Sequence, residues 1–288
     1  MTLLSVIVLS YNTKDLTKKC LLSVVDNYKE DIDKSKIEII LADNGSGDGT
    51  VEEIKSDKFL EKIKIVENGN NYGFGKGNNL ASKKAEGKYI LFLNSDTVSK
   101  DKGFLEMTLF LEKNTKTGIL GGKLENVDGS KQLSAGKFYT PLNLFFSLLG
   151  LESFVRSAPD KISRVDWVSG ACLMIKKELF EKLKGFDENF FMYIEDMELC
   201  YRAKKEGFLT YFYPDIKLEH RQEGSSSRQF AIKNIYKGIL YFYKKHKPYW
   251  QYYLAKALLN TKAVVVFVIG TVIGDNYLKK TYKQVLKF

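Results

Sequence analysis

The sequence predicts an α/β fold: a mostly parallel central sheet with flanking helices, followed by a C-terminal helical tail. Three observations predict it. In the first half, short apolar runs of strand length alternate with stretches that carry a helical apolar stripe, as in β–α units whose parallel strands need crossovers. Polar clusters follow directly on three of those runs, where ligands of such sheets bind. Near residues 224–227 (GSSS) the composition breaks, and the chain beyond is helical in pattern and strongly basic.

The elements follow in order. Residues 3–9 (LLSVIVL) form a continuous apolar run, as in a strand covered on both faces. Residues 13–28 place Leu16, Cys20, Leu21, Val24 and Val25 on one helical stripe. Residues 37–42 and 63–66 read as the second and third strands, 75–86 as a helix, 89–93 as the fourth strand and 101–113 as another helix. The three strand-end clusters are Ser10-Tyr11-Asn12, Asp43-Asn44-Gly45-Ser46 and Asn94-Ser95-Asp96. Side by side they would line one polar cleft. Past residue 114 the pattern loosens. Residues 138–155 (FYTPLNLFFSLLGLESFV) have no clean period. A core or lid segment is the plainer reading, a hydrophobic surface near a lipid-bearing substrate the sharper one. Residues 167–175 and 209–213 read as strands, 176–183 and 196–206 as helices. Residues 230–247 and 249–273 read as helices split by Pro248, which suits a helix start. The division is a body over residues 1–227 and a tail over 228–288.

The 288 residues are 44% hydrophobic and 28% charged, which excludes a disordered chain, a collagen-like repeat and a disulfide-stapled miniprotein. The net charge of +10 first suggests nucleic acid, anionic lipid or a phosphorylated ligand. Its distribution decides. The tail holds Arg228 and 11 Lys against one acid, Asp275, while the other 227 residues hold 33 basic and 34 acidic side chains. The body is neutral, which argues against nucleic acid. Tyr241, Phe242, Tyr243, Tyr249, Trp250, Tyr252 and Tyr253 crowd the junction of the two tail helices. The apolar run 263–274 spans only about 18 Å as helix, against about 30 Å of bilayer core. An interfacial helix on an anionic membrane is therefore expected rather than a span, with a helix packed on the domain as the plainer alternative. Cys20, Cys172 and Cys200 form no CxxC pair and read as reduced thiols of a cytoplasmic protein. The first residues, Met1-Thr2-Leu3-Leu4-Ser5, carry no basic region before an apolar run, so no signal peptide is read there.

Four constellations could carry chemistry. Asp43, at a strand end before a Gly/Ser/Asn loop, could accept hydrogen bonds from a base or a ribose, or simply open a turn. In NYGFGKGNN (71–79), glycines lead into a helix, where backbone N–H groups can approach phosphate oxygens. No Walker loop is present, and no GxGxxG follows the first strand, so a nicotinamide-binding reading is poor. Asp96 could hold Mg²⁺ or Mn²⁺ on a diphosphate or cap the next helix. Glu195 and Asp196 open a helix, which the macrodipole favours on its own. The aromatics before them would also desolvate a carboxylate, as a general base requires. His220 ends a strand-like run and is one of only two histidines.

Taken together, SVIVLSYN (5–12), ADNGSGDGT (42–50), NYGFGKGNN (71–79), FLNSDT (92–97), WVSGACLMIK (167–176), GFDENFFMYIEDMELCYR (185–202) and HRQEGSS (220–226) resemble the inverting family 2 glycosyltransferases. The resemblance is to their rhamnosyltransferase-like branch, and it implies the Rossmann-like GT-A fold. By it, Ser10, Tyr11, Asn12, Asp43 and Asn44 would hold the nucleotide of a nucleotide-sugar donor. Gly73, Phe74, Gly75 and Asn78 would line a glycine loop beside it. Asp96 matches the last Asp of the family's DXD motif and, with His220, would bind Mg²⁺ or Mn²⁺. Asn94 departs from that motif's first Asp. Asp196 would be the general base with Glu195 beside it, and Trp167, Gly170 and Ala171 would stand on the acceptor side.

The implied reaction moves a sugar from a dTDP- or UDP-linked donor to a hydroxyl of a glycan or lipid-linked saccharide, for cell-surface polysaccharide or glycoconjugate synthesis. The implied place is the cytoplasmic side of the membrane, held peripherally. A sugar-1-phosphate nucleotidyltransferase would need a basic glycine loop where Leu9-Ser10-Tyr11-Asn12 stands. A non-catalytic membrane-binding scaffold would leave the polar cleft without a purpose.

Overall fold

The computed structural model describes residues 1–221 and 227–288. The composition break at residues 224–226 and the end of the 220–226 motif lie outside the described residues. β1 (Leu4–Ser10), α1 (Lys14–Asp33), β2 (Ile37–Asp43), α2 (Thr50–Ser56), β3 (Lys64–Glu67), α3 (Gly73–Ser82) and β4 (Tyr89–Asn94) form successive β–α units. β1 pairs in parallel with β2 and β4, and β2 with β3. Then come β5 (Thr97–Ser99), α4 (Phe104–Lys113), β6 (Thr117–Glu125), β7 (Ala135–Gly136), α5 (Pro141–Leu148), β8 (Arg156–Ser157), β9 (Ser163–Val165) and β10 (Trp167–Val168). The body ends with β11 (Cys172–Lys176), α6 (Lys177–Lys182), α7 (Glu195–Lys205) and β12 (Leu209–His220). The tail is α8 (Arg228–His246), α9 (Tyr249–Val272) and α10 (Asn276–Val285).

The main sheet runs β3-β2-β1-β4-β11-β6-β12-β5, with β9 on β12. β11 is antiparallel to both β4 and β6, and β12 is parallel to β6. Six strands therefore share one direction, as expected of a mostly parallel sheet, with β11 wedged among them.

Period-two alternation divides the core. Val6, Val8, Leu91 and Leu93 face one layer with α1 and α4. Ile7, Ile90 and Phe92 face the other, with Phe74 of α3, Phe180 of α6 and Met197 of α7. Each fully buried large apolar side chain contributes about 1.5–3 kcal/mol by area.

Several expectations are corrected. Residues 167–175 are two strands: Trp167 and Val168 pair with β7 in a small three-stranded sheet, and Cys172 begins β11. Gly170 and Ala171 turn the chain between them. α3 starts at Gly73, two residues early, because the Phe74 N–H bonds the Phe191 carbonyl (2.8 Å) and seats the first turn. β12 continues past Tyr213 to His220 through a register shift opposite β6. Residues 138–155 divide: Phe138, Tyr139, Leu144 and Val155 are core, while Leu142, Phe145, Leu149, Leu151 and Phe154 are exposed. Both tail helices form on either side of Pro248, and α10 is an addition that its Lys-rich sequence did not announce. The tail shares a core with the body, since Tyr236, Ile239, Phe242, Tyr243, Ala255, Leu259 and Ala263 belong to the layer of Phe74 and Met197. All three cysteines are free and buried.

Candidate active site

Parallel register brings the strand ends together: Ser10 lies opposite Asp43, and Leu9 opposite Asn94. A cleft of about 480 Å³ opens there. Of the expected donor residues, Ser10, Tyr11, Asn44, Gly73, Phe74, Asn94 and Asp96 line it. A cavity of similar size at the opposite strand ends is lined by Glu86, Lys88, Glu112 and Lys176. The first cleft stands at the carboxyl ends, where such sheets bind ligands.

The remaining donor residues shape the cleft from behind. Asn12 holds the loop after β2: its N–H donates to Ser46 Oγ (2.9 Å) and its Oδ1 accepts from the Gly47 N–H (2.8 Å). Asp43 Oδ2 accepts from the Gly45 and Ser46 N–H groups, while its buried Oδ1 has no partner. That oxygen is an open acceptor. Asn78 donates to the Phe74 carbonyl inside α3 (3.1 Å). Gly73 (φ +79°) cannot carry a side chain, because a Cβ would stand 1.9 Å from the Phe191 carbonyl oxygen. A Cβ on Gly75 would meet Phe186 at 3.0 Å. The glycines thus have a packing reason, and the expected glycine loop is the first turn of a helix.

Antiparallel pairing of β12 with β5 sets His220 opposite Thr97, one residue past Asp96. His220 Nε2 lies 3.3 Å from Asp96 Oδ1 and 3.4 Å from Asn94 Nδ2. On the other side of the ring, Gln132 Oε1 is 2.7 Å from Nδ1. Gln132 Nε2 donates to the carbonyl of His220 and to Asn126 Oδ1, which fixes the amide with Oε1 toward the imidazole. Oε1 can only accept, so Nδ1 carries the proton. In the neutral ring the Nε2 lone pair then faces a carboxylate oxygen. Two acceptors in that position fit a divalent cation between them. One carboxylate and one imidazole suit Mn²⁺ or Mg²⁺. Among the described residues no group of three or more His, Cys, Asp or Glu could hold a metal.

Across the cleft, Tyr193 (φ +71°) and Ile194 (φ +76°) make a left-handed turn into α7. Such residues store about 1–3 kcal/mol each. Gly238 of α8 packs against them; a Cβ there would stand 2.9 Å from Ile194 Cγ1. The turn delivers Glu195 and Asp196. Asp196 Oδ2 accepts from the Gly170 N–H (2.9 Å) and Oδ1 from the Met197 N–H (2.7 Å). The Asn94 N–H donates to the Ala171 carbonyl (3.2 Å). The 169–171 turn therefore ties Asp196 to the floor of the cleft. Burial raises the Asp196 carboxyl, and these N–H groups and Arg156 oppose it. Glu195 is buried, its Oε2 unpartnered. Burial, then the charge of Asp196, holds it well above the carboxylate range.

Residues 5–184 match the model of glycosyl transferase family 2. The chain belongs to that family. It is 26% identical over 225 residues to the low-salt glycan biosynthesis hexosyltransferase Agl10 of Haloferax volcanii, covering 74% of this chain and 71% of that protein. It is 26% identical over 243 residues to an N-acetylglucosaminyl-diphospho-decaprenol L-rhamnosyltransferase of Mycobacterium tuberculosis, covering 75% and 77%. A mannosyltransferase of Pyrobaculum calidifontis, solved with GDP-Man and Mn²⁺, superposes with a TM-score of 0.57 over 98% of this chain and 84% of its own, at 17% identity. The GT-A fold is thereby shared, and the chain is a family 2 glycosyltransferase related to rhamnosyltransferases.

Sequence reasoning missed several residues of this glycosyltransferase's cleft. Gln132 sits in an unremarkable loop, and only tertiary contact gives it meaning. Phe191, Met192, Ser227 and Phe230 also line the cleft, with Phe191 and Phe230 edge to face at 5.8 Å. The tail therefore supplies part of one wall. Trp167 is buried, donating Nε1–H to the Lys137 carbonyl (3.0 Å), with the Arg156 guanidinium over its ring at 5.4 Å. It is a packed side chain, not a cleft-lining one.

Proposed function

We propose that this glycosyltransferase is a metal-dependent inverting enzyme that moves a sugar from a nucleoside diphosphate to a hydroxyl of a glycan or lipid-linked saccharide. The observation that carries the reading is the tie from Asp196 through the 169–171 turn to Asn94, with Asp96 and His220 beside it. The donor would lie in the strand-end cleft, with its ribose or base against Asp43 Oδ1 and its diphosphate toward Asp96. Asp96 and His220 would hold Mg²⁺ or Mn²⁺, which supplies positive charge to the departing diphosphate. The acceptor would enter on the Gly170 and Arg156 side. Asp196 takes the proton from its hydroxyl as that oxygen bonds the anomeric carbon. The bond from that carbon to the diphosphate oxygen breaks on the opposite face, so configuration inverts. Burial and then the charge of Asp196 hold up the Glu195 carboxyl, so Asp196 is the first of the pair to ionise.

The relationship to a rhamnosyltransferase favours dTDP-rhamnose as donor, with UDP-sugars next, in polysaccharide or glycoconjugate synthesis at the cytoplasmic face of the membrane. Asp196→Asn tests the reading. Transfer should fall by about 10²–10⁴-fold, the contribution of a general base, with nucleotide affinity by calorimetry unchanged. Transfer within a few-fold of the natural enzyme would remove Asp196 from this role.

A further inference from the structure

The outer face of α9 carries no charge. Trp250, Tyr253, Leu254, Val264, Val265, Val268 and Val272 recur at helical spacing and are all exposed, with only Ala257 and Thr261 between them on that face. A water-facing helix ordinarily places its charges there. Its two lysines stand elsewhere: Lys256 is half-buried, and Lys262 donates Nζ to the Leu148 carbonyl of α5. The helix is 24 residues long, with a mean hydropathy of 1.6 over its most apolar stretch, only 22% of which is buried.

A second surface joins it. α5 packs against α9 and exposes Leu142, Phe145 and Leu149 along one stripe, with Leu151 and Phe154 in the turn after it. No charged residue occurs from Phe138 to Leu151. Two elements distant in sequence thus make a shared apolar face. Exposed Lys280 and Lys283 lie on α10, which packs closely on α9 at Gly270.

We propose that the α5 and α9 faces together seat this protein in the plane of an anionic bilayer. Bilayer rather than protein is chosen because the apolar face is joined to a basic tail, the combination that anionic lipid attracts. In-plane seating follows from the opposite stripe of α9. Ala255, Leu259 and Ala263 are fully buried in the body's own core, and a span would have to strip that core away.

This inference goes beyond the transfer reaction and is tested without donor or acceptor, so either reading can fail alone. Full-length protein is sedimented with equimolar phosphatidylglycerol and phosphatidylcholine vesicles at low salt, while Trp250 fluorescence is followed. Binding and a blue shift are expected, with the shift absent in Trp250→Phe. Val268→Glu on α9 and Phe145→Glu on α5 should each weaken partitioning by about tenfold or more, with unchanged circular dichroism. Failure of the natural protein to bind overturns the proposal. Wild-type binding by either variant overturns the two-element face. Resistance to alkaline carbonate extraction overturns the in-plane seating. A concentration-dependent dimer broken by the same substitutions, with no vesicle binding, would assign the face to a second copy instead.

Discussion

The two glutamates of α7, one turn apart, have opposite environments. Glu195 is buried at the start of the helix with an unpartnered oxygen. Glu198 faces the tail, where Arg202 Nε (2.8 Å), Lys245 Nζ (2.8 Å) and His246 Nε2 (2.9 Å) all reach it. Burial pushes both carboxyls up. At Glu198 the His246 hydrogen bond, Arg202 and Lys245 outweigh burial and hold it below its ordinary value; at Glu195 nothing does. The same helix therefore holds an unpaired carboxyl at its start and a paired one a turn later. Lys245 also bonds Asp187 of the loop that carries Phe190 and Phe191. The tail is thereby fastened to both sides of the turn into α7.

Glu198→Ala should break this contrast most severely. It leaves Arg202 and Lys245 beside an empty, buried position, and loss of one partner of such a pair costs about 3–5 kcal/mol. Denaturant unfolding measures it, and a loss below 1 kcal/mol would show that the network does not fasten the tail. Because the Glu198 carboxyl is depressed, its contribution is fully present above the ordinary glutamate value and is lost as pH falls below it through the depressed folded value.

Gln132→Ala comes next. Freed of its acceptor, His220 loses a fixed tautomer, and Mn²⁺ affinity in the presence of nucleoside diphosphate should drop about 10–100-fold. Titration followed by Mn²⁺ paramagnetic resonance reads this directly. Unchanged affinity would make Gln132 a loop-packing residue only.

The smallest effect is expected from Glu195→Gln. A raised carboxyl contributes stability below its unfolded value and loses it as pH rises through the folded one. Removing the charge should therefore stabilise the protein by about 1–2 kcal/mol at pH 9 and by little at pH 5. Thermal unfolding at both values checks the sign, and equal shifts would mean that Glu195 is not held neutral.

Much of this was legible in one dimension. A strand covered on both faces reads as a continuous apolar run, so β1, β2 and β4 were plain, and their polar ends marked Ser10, Asp43, Asn94 and Asp96. Parallel pairing keeps such ends level, which is why local reading found one side of the cleft. The direction of β11 was hidden because an antiparallel strand inside a parallel sheet carries the same apolar signature as its neighbours. The break at Gly170-Ala171 was hidden for the same reason, although it supplies the N–H that holds Asp196.

The sequence by itself determined the sheet, the motif residues and the separation of a neutral body from a basic tail, because these depend on composition and on periods of two and 3.6 residues. Tertiary structure alone decided what those residues face. Gln132 lies 88 positions from His220 and Lys245 lies 47 from Glu198. No local pattern records such meetings, since a hydrogen bond between distant segments imposes no spacing on either. The tail's charge belongs to the sequence, but the tail's place as a wall of the cleft and a brace for the turn into α7 belongs to the packing of α8 on α7.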